Sequence, residues 1–176
     1  MSHANANTDT GWIEHLQDGT RLRIRPIARR DAELELEFLA HLSPEFRNAR
    51  FLGLVHDPSP EVARKLTDID PTNTVAFIAL VSHGGKDRQV GAAQFHAAGD
   101  SCDASLTVGG EWRRRGVGSA LMRHLIDAAR ARGIRHMRAY APVPSGGSDS
   151  LASSIGFRRR VDPDDPVAII YDLPLD

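Results

Sequence analysis

Cysteine is all but missing: Cys102 is the only one in 176 residues. One thiol cannot close an internal disulfide or build a cysteine-rich zinc site, so a reducing, cytoplasmic setting is the expectation. An excess of charge of either sign is missing as well. The 22 Lys and Arg are matched by 23 Asp and Glu, a formal charge of -1, so no overall field draws the chain toward nucleic acid or anionic lipid. Aromatic residues amount to only 6%. None interleaves with Arg21, Arg23 and Arg25, which suits a solvent-facing strand edge and not the stacking platform of a single-strand binder. Long apolar runs are lacking too: nothing approaches the ~20 residues of a membrane span, and Met1 to Thr10 has no apolar stretch of signal-peptide type. The 8 histidines show no metal-ligand spacing. The expectation is a soluble protein with no metal, no membrane association and no nucleic-acid partner.

The residues that are present suffice for a core. Hydrophobic residues make up 41% and charged ones 26%, and a chain of this length buries roughly two-thirds of its unfolded surface. Residues 1–12 read as a disordered polar tail and 13–176 as a single domain. Leu22 and Ile24 alternate with arginines at the period of a half-buried strand, which Pro26 ends or marks as an edge. Asp31 then precedes Leu34, Phe38 and Leu42 at helical spacing. Ser43-Pro44-Glu45 and Ser59-Pro60-Glu61 each set a cap residue before a proline at the first helical position, and Val62, Leu66 and Ile69 give the second stretch an apolar face. Thr74–Val81 and Gln89–Ala97 flank a glycine turn and read as a hairpin, while Cys102–Val108 alternates as a third strand. From Arg115 the period is helical again, with Val117, Leu121, Leu125 and Ala129 on one stripe and Gly133 as its stop. Arg135–Ala141 and Val167–Leu173 read as strands around a short helix, Ser148–Ile155. This order predicts a mixed α+β sheet with helices on its faces.

The stretch most informative about chemistry runs from Leu106 to Ser119, where a strand ends, an Arg- and Gly-rich loop follows and a helix begins. Free N–H groups in a helix's first turn, at the positive end of its dipole, bind phosphate. Gly116 and Gly118 remove side chains that would hold a diphosphate away, and Arg113, Arg114 and Arg115 add charge. A P-loop would need Lys-Ser/Thr after its last glycine, and the dinucleotide fingerprint a third glycine three residues after Gly118; Ser119 and Leu121 stand there instead. Spacing alone leaves open a glycine-softened turn that carries a solvated arginine run.

Arg113-Arg114-Arg115-Gly116-Val117-Gly118 resembles the Arg/Gln-x-x-Gly-x-Gly/Ala signature of the GNAT superfamily of N-acetyltransferases. The resemblance extends to Glu111-Trp112, Leu121-Met122, Ala129 to Ile134 and Ile155-Gly156-Phe157, in the same order and spacing. Upstream, Gly19 to Ile27, Leu42-Ser43-Pro44-Glu45, Arg47 to Gly53 and Leu66 to Asp70 resemble the GNAT domain of bacterial protein lysine acetyltransferases that modify acyl-CoA synthetases. Roughly residues 19 to 173 are covered. The resemblance implies a GNAT fold: a mixed, twisted sheet of about six or seven strands flanked by helices, with a splayed central pair, here Cys102–Val108 and Arg135–Ala141. It implies acetyl-CoA as co-substrate, its pantetheine pairing with the main chain of Leu106, Thr107 and Val108, and its diphosphate held by Arg113, Arg114, Arg115, Gly116, Val117, Gly118 and Ser119. An N–H near Val108 would then polarise the thioester carbonyl, an oxyanion-type contact.

An ammonium cannot attack a thioester, so the reaction needs a base or a water route for the proton. The resemblance places the base on the strand before the loop, at Asp103, where related lysine acetyltransferases carry glutamate. Cys102 faces the other way on an alternating strand and reads as a small core residue. The family's Asn and Tyr near the last helix fall on Ser145 and Ala152, which leaves the departing thiolate to solvent or to Tyr140, a residue otherwise read as packed in the sheet. His96 reads as a partly buried strand histidine or as a border of the acceptor groove. The acceptor groove itself falls to the helices between Asp31 and Ile69. Asp162 to Pro166 reads as a solvated acidic turn or as a lure for a cationic acceptor. The expected activity is acetyl transfer to a primary amine, foremost a protein lysine, in a ternary complex. A small-molecule amine as acceptor and a catalytically weak acyl-CoA-binding regulatory module are the alternatives. Monomer and homodimer are both compatible with the pattern.

Overall fold

A computed structural model describes residues 11–44, 46–47, 57–142 and 146–176. Among these, eight strands form one sheet: β1 (Trp12–His15), β2 (Arg21–Pro26), β3 (Thr74–His83), β4 (Lys86–Ala98), β5 (Ser101–Val108), β6 (His136–Pro142), β7 (Arg158–Val161) and β8 (Ala168–Pro174). The order is β1-β2-β3-β4-β5-β6-β8-β7. Only β5 and β6 run parallel; every other neighbouring pair is antiparallel. The α-helices whose full range lies among the described residues are α1 (Ala32–His41), α2 (Pro60–Thr67), α3 (Val117–Ala131) and α4 (Gly146–Ile155). This is the α+β architecture with helices on both faces that the alternation of periods predicts.

The sheet has two strands more than the sequence pattern displays, and both lie at its ends. β1 and β7 have four residues each, too short for an alternating pattern, and all four residues of β7 are exposed. Trp12, assigned above to the loose tail, opens β1 because its ring has places to go. It meets Phe77 edge-on at 5.2 Å and stacks on His124 at 4.2 Å. The rest of the expected tail, residues 1–10, lies outside the described residues. β7 carries Arg158, Arg159 and Arg160 in succession and pairs with β8 alone. The helical stretch expected after Ser43 is visible as the Phe46 and Arg47 N–H groups donating to the Ser43 carbonyl at 3.0 Å; Glu45 and residues 48–56 of the matching blocks lie outside the described residues. Ser59 caps α2 as its position predicts, its hydroxyl accepting from the Val62 N–H at 3.2 Å.

Two cores sandwich the sheet. α3 lays Val117, Leu121 and Leu125 on one face, with Phe95, Cys102 and Met137 beneath them. On the other face, Phe38 and Leu39 of α1 pack with Ile27, Ile78, Leu80 and Ala92. Each fully buried large aliphatic side chain stabilises the fold by roughly 1.5–3 kcal/mol. β2 is tied to α1 by a pair that is itself buried: the two terminal guanidinium nitrogens of Arg25 donate to Asp31 at 2.7 Å, and the Ala28 N–H donates to the same carboxylate at 2.8 Å. Arg25 is 5% exposed and Asp31 2%. Removing one member leaves a buried charge unmatched. Asp31→Ala is therefore expected to lower unfolding free energy by about 3–5 kcal/mol in urea titration, whereas exposed Asp68→Ala, across from Arg29, is expected to cost under about 1 kcal/mol.

Candidate active site at a fork in the sheet

The parallel pairing of β5 with β6 is brief. It joins Ser101–Ala104 to His136–Ala139 and goes no further, although β5 continues to Val108 and β6 to Pro142. The outer neighbours do not stop: β4 pairs with β5 through Val108, and β8 pairs with β6 through Pro142. Beyond Ala104 and Ala139 the sheet is forked, and among the described residues the inner edge of β5 has no strand beside it. The Gly109 N–H donates to the Val90 carbonyl at 2.9 Å, on the β4 side. By the alternation of a strand, the main-chain groups of Leu106 and Val108 turn into the fork and those of Thr107 turn to β4. Thr107 has its side chain buried instead, with a hydroxyl that has no hydrogen-bond partner.

The fork leads to the loop before α3. Gly110–Trp112 makes one 3-10 turn, and Gly116, at φ 96°, caps the helix in a left-handed conformation that favours glycine. No side chain caps this end and no acid occupies its first turn. The first N–H to bond back is that of Ala120, to Gly116 at 3.0 Å, so those of Val117, Gly118 and Ser119 have no helical partner. Gly118 has a packing role besides the one its spacing suggests. A Cβ there would come within 2.9 Å of Leu151 and 3.3 Å of Leu106, so the glycine lets α3, α4 and β5 close on one another.

The three arginines part company. Arg113 lies over the Phe46 ring at 3.2 Å, with its Nε donating to the Val108 carbonyl at 3.4 Å. Arg115 stacks on Trp112 at 4.1 Å and donates to Thr20 at 3.3 Å and to the Asp18 carboxylate on the β1–β2 turn. Its charge is thus already matched. Arg114, at φ 57°, is exposed and has no ion pair among the described residues. Hydrogen bonds from Thr20, and then from Arg115, hold the Asp18 carboxyl at about 2.

Asp103 sits on the paired part of β5, one residue before the fork opens, and is exposed. Arg138 on β6 lies 3.4 Å from its carboxylate. The register carries a polar row across six strands: Thr74, His96, Asp103, Arg138, Asp172 and Arg158 are successive cross-strand partners. His96 is exposed in this row, with Thr74 at 3.1 Å from its Nδ1, and is not the partly buried residue its strand position suggested. Tyr140, read above as packed in the sheet, is 43% exposed because it too lies on this uncovered face. Cys102 faces the α3 core as alternation predicts; burial, and then the neighbouring Asp103 carboxylate, push its thiol up to about 11. Ala152 packs partly buried against the core, and Ser145 lies outside the described residues. Asp162 and Asp165 accept main-chain N–H bonds from Asp164 and Val167 within the acidic turn. Among the described residues no group of three or more His, Cys, Asp or Glu could hold a metal, and no helix is long and apolar enough to cross a membrane. The partners of Asp103 and Arg115 are absent from the sequence reading because Arg138 and Asp18 are 35 and 97 positions away, joined only by register and folding.

Comparison with known proteins converges on one group. The sequence profile of the Acetyltransferase (GNAT) family matches residues 36–157. An acetyltransferase of Pseudomonas aeruginosa is 37% identical over 166 residues, 93% of this chain and 89% of that protein. The crystal structure of the GNAT domain of S. lividans PAT superposes with a TM-score of 0.81 at 23% identity, covering 93% of this chain and 96% of that one. The PaiA N-acetyltransferase of Thermoplasma acidophilum, solved in complex with coenzyme A, gives a TM-score of 0.62 at 14% identity over 87% of this chain and 98% of its own.

Two outcomes follow from the geometry of the site. Cys102 in the native chain is expected to resist iodoacetamide at pH 8, where a thiol at about 11 is almost wholly protonated, and to react once the chain is unfolded; mass spectrometry reads both. The Asp18 carboxyl, below its ordinary 3.8 when folded, is expected to titrate near 2 by carbon NMR. What its ion pair adds to loop stability is complete above 3.8 and is lost as pH falls through about 2.

Proposed function

The chain belongs to the Acetyltransferase (GNAT) family, and from that premise we propose that it moves an acetyl group from acetyl-CoA to a primary amine, foremost the side chain of a protein lysine. The observation that carries this reading is the fork. Among the described residues, Leu106 and Val108 at the open edge, and beyond the 3-10 turn the first turn of α3, present main-chain groups without strand or helix partners. These groups fit a long ligand with an amide-bearing arm and a diphosphate: an arm pairs with an open strand edge as another strand would, and a diphosphate accepts from an uncapped helix terminus. A Cβ at Gly116 would meet only Leu16, at 3.8 Å, so sterics leave this end open.

Acetyl-CoA supplies an acyl group activated as a thioester. Leu106 and Val108 hold the pantetheine through their main chain. The N–H groups of Val117, Gly118 and Ser119 take the diphosphate, with the exposed Arg114 beside them. Arg113 and Arg115 act on the ligand through loop shape, since Phe46, Asp18 and Trp112 already occupy them. The amine nitrogen forms a bond to the acyl carbon as the carbon–sulfur bond breaks. Asp103 receives the amine proton, through water, since it lies on the paired stretch and is one methylene shorter than a glutamate. No tyrosine stands at Ala152, so the leaving sulfur takes its proton from solvent.

The contact between Asp103 and Arg138 favours a second reading, an acyl-CoA-binding module with weak turnover, because an arginine at 3.4 Å already engages the carboxylate that would have to face the amine. One experiment separates the two. Asp103→Asn is expected to lower kcat by about 10²-fold with the calorimetric affinity for acetyl-CoA unchanged. Equal turnover of the two proteins at several pH values would remove Asp103 from the reaction. Tight binding without CoA release, over a panel of peptides and small amines, would establish the binding module.

A further inference from the structure

Among the described residues, three buried side-chain polar atoms have no hydrogen-bond partner: Gln89 Oε1, Thr107 Oγ1 and Trp112 Nε1. Folded proteins seldom leave such atoms unmatched, and each asks for a cause. Two of the three belong to one place. Gln89 and Trp112 both line a cleft of about 130 Å³ between the C-terminal half of α1, the start of β4 and the turn after β5. The two atoms are of opposite kind. The Gln89 amide nitrogen donates to the buried Glu35 carboxylate at 2.6 Å, which assigns the ends of the amide and leaves Oε1 as an acceptor without a donor. The indole nitrogen of Trp112 is a donor without an acceptor. Gln89 is only 3% exposed, so this is no ordinary surface amide.

The position of the cleft gives the mismatch a use. Gly109, in its wall, directly follows Val108, the last residue of the open edge in the fork. The cleft opens on the α1 side of the sheet, the side on which Thr107 is buried opposite Ala92 and on which Asp103 stands. Glu37 and Glu111 at its walls are paired with Lys86 and Arg88 at 3.6 Å. One N–H donor and one carbonyl acceptor match the two orphaned atoms in kind; an amide carries both, and an aliphatic amine carries no carbonyl.

We propose that this cleft reads an amide of the acceptor, whose N–H donates to Gln89 Oε1 while the Trp112 indole N–H donates to its carbonyl. The proposal rests on the acetyltransferase reading and narrows it: the accepted amine is carried by a molecule with a peptide bond close by, as a lysine within a chain is. Trp112 lies on a 3-10 turn and not on a strand, and the proposal requires its ring to turn as the amide enters.

Binding tests this without turnover. Nα-acetyl-lysine methylamide is added to the labelled protein in the absence of acetyl-CoA, with n-pentylamine as the amine without an amide. The Trp112 indole resonance, distinguished from that of Trp12 by Trp12→Phe, is expected to shift saturably with the amide and to stay in place with pentylamine. Gln89→Leu and Trp112→Phe are each expected to reduce the ratio of the two affinities by about tenfold. An unmoved indole resonance, or an equal shift with both compounds, overturns the proposal, as does an affinity ratio that neither substitution alters. CoA release, measured separately on the same two compounds, reports on acetyl transfer and not on amide recognition.

Discussion

Everything at this site depends on two strands that begin as neighbours and then part. Within a protein, main-chain groups without partners are costly, so a sheet does not split unless each branch is held from outside. Here β4 grips all of β5 and β8 grips all of β6, so the branches stay ordered where they no longer touch. The polar groups of Leu106 and Val108 are therefore fixed in place before any ligand arrives. A rigid row of donors and acceptors loses little entropy on binding, which is why the proposed function places the long flexible arm on a strand edge and not on a loop.

The loop beyond the fork divides labour in a way that its composition conceals. Three consecutive arginines suggest a single patch of positive charge. Folded, they become a stacked arginine, a solvent-facing arginine and an arginine committed to a carboxylate from the far end of the sequence. The ion pair between Arg115 and Asp18 joins the β1–β2 turn to the start of α3, and Glu14 with Arg123 and His124 repeats the connection about two turns further on. The short first strand thus braces the helix whose N-terminus faces the fork.

How much of this was legible beforehand follows from the range of the interactions involved. Periodicity located β5, α3 and the loop between them, because each is a local pattern several residues long. Alternation likewise sent Cys102 inward and Asp103 outward. Local patterns do not reach the strand ends of the sheet, where Trp12–His15 and Arg158–Val161 are paired along four residues only. Nor do they reach Gly118, whose missing side chain faces Leu151 on another helix. Arg138 beside Asp103, Asp18 beside Arg115 and Gln89 beside Glu35 are all products of register or packing, and a sequence read residue by residue holds no signal for them.

The far end of the sheet closes on β7, and its three arginines bear on how this protein behaves in a crowded solution. An outermost strand offers its unused backbone to any passing copy, and such templating is how ordered fibres begin. A second copy aligned there would bring rows of guanidinium groups to within about 5 Å of each other. Arg159 and Arg160 are only partly offset by Asp149 and Asp172, with side chains that remain about half exposed. That end of the molecule is thereby kept from growing.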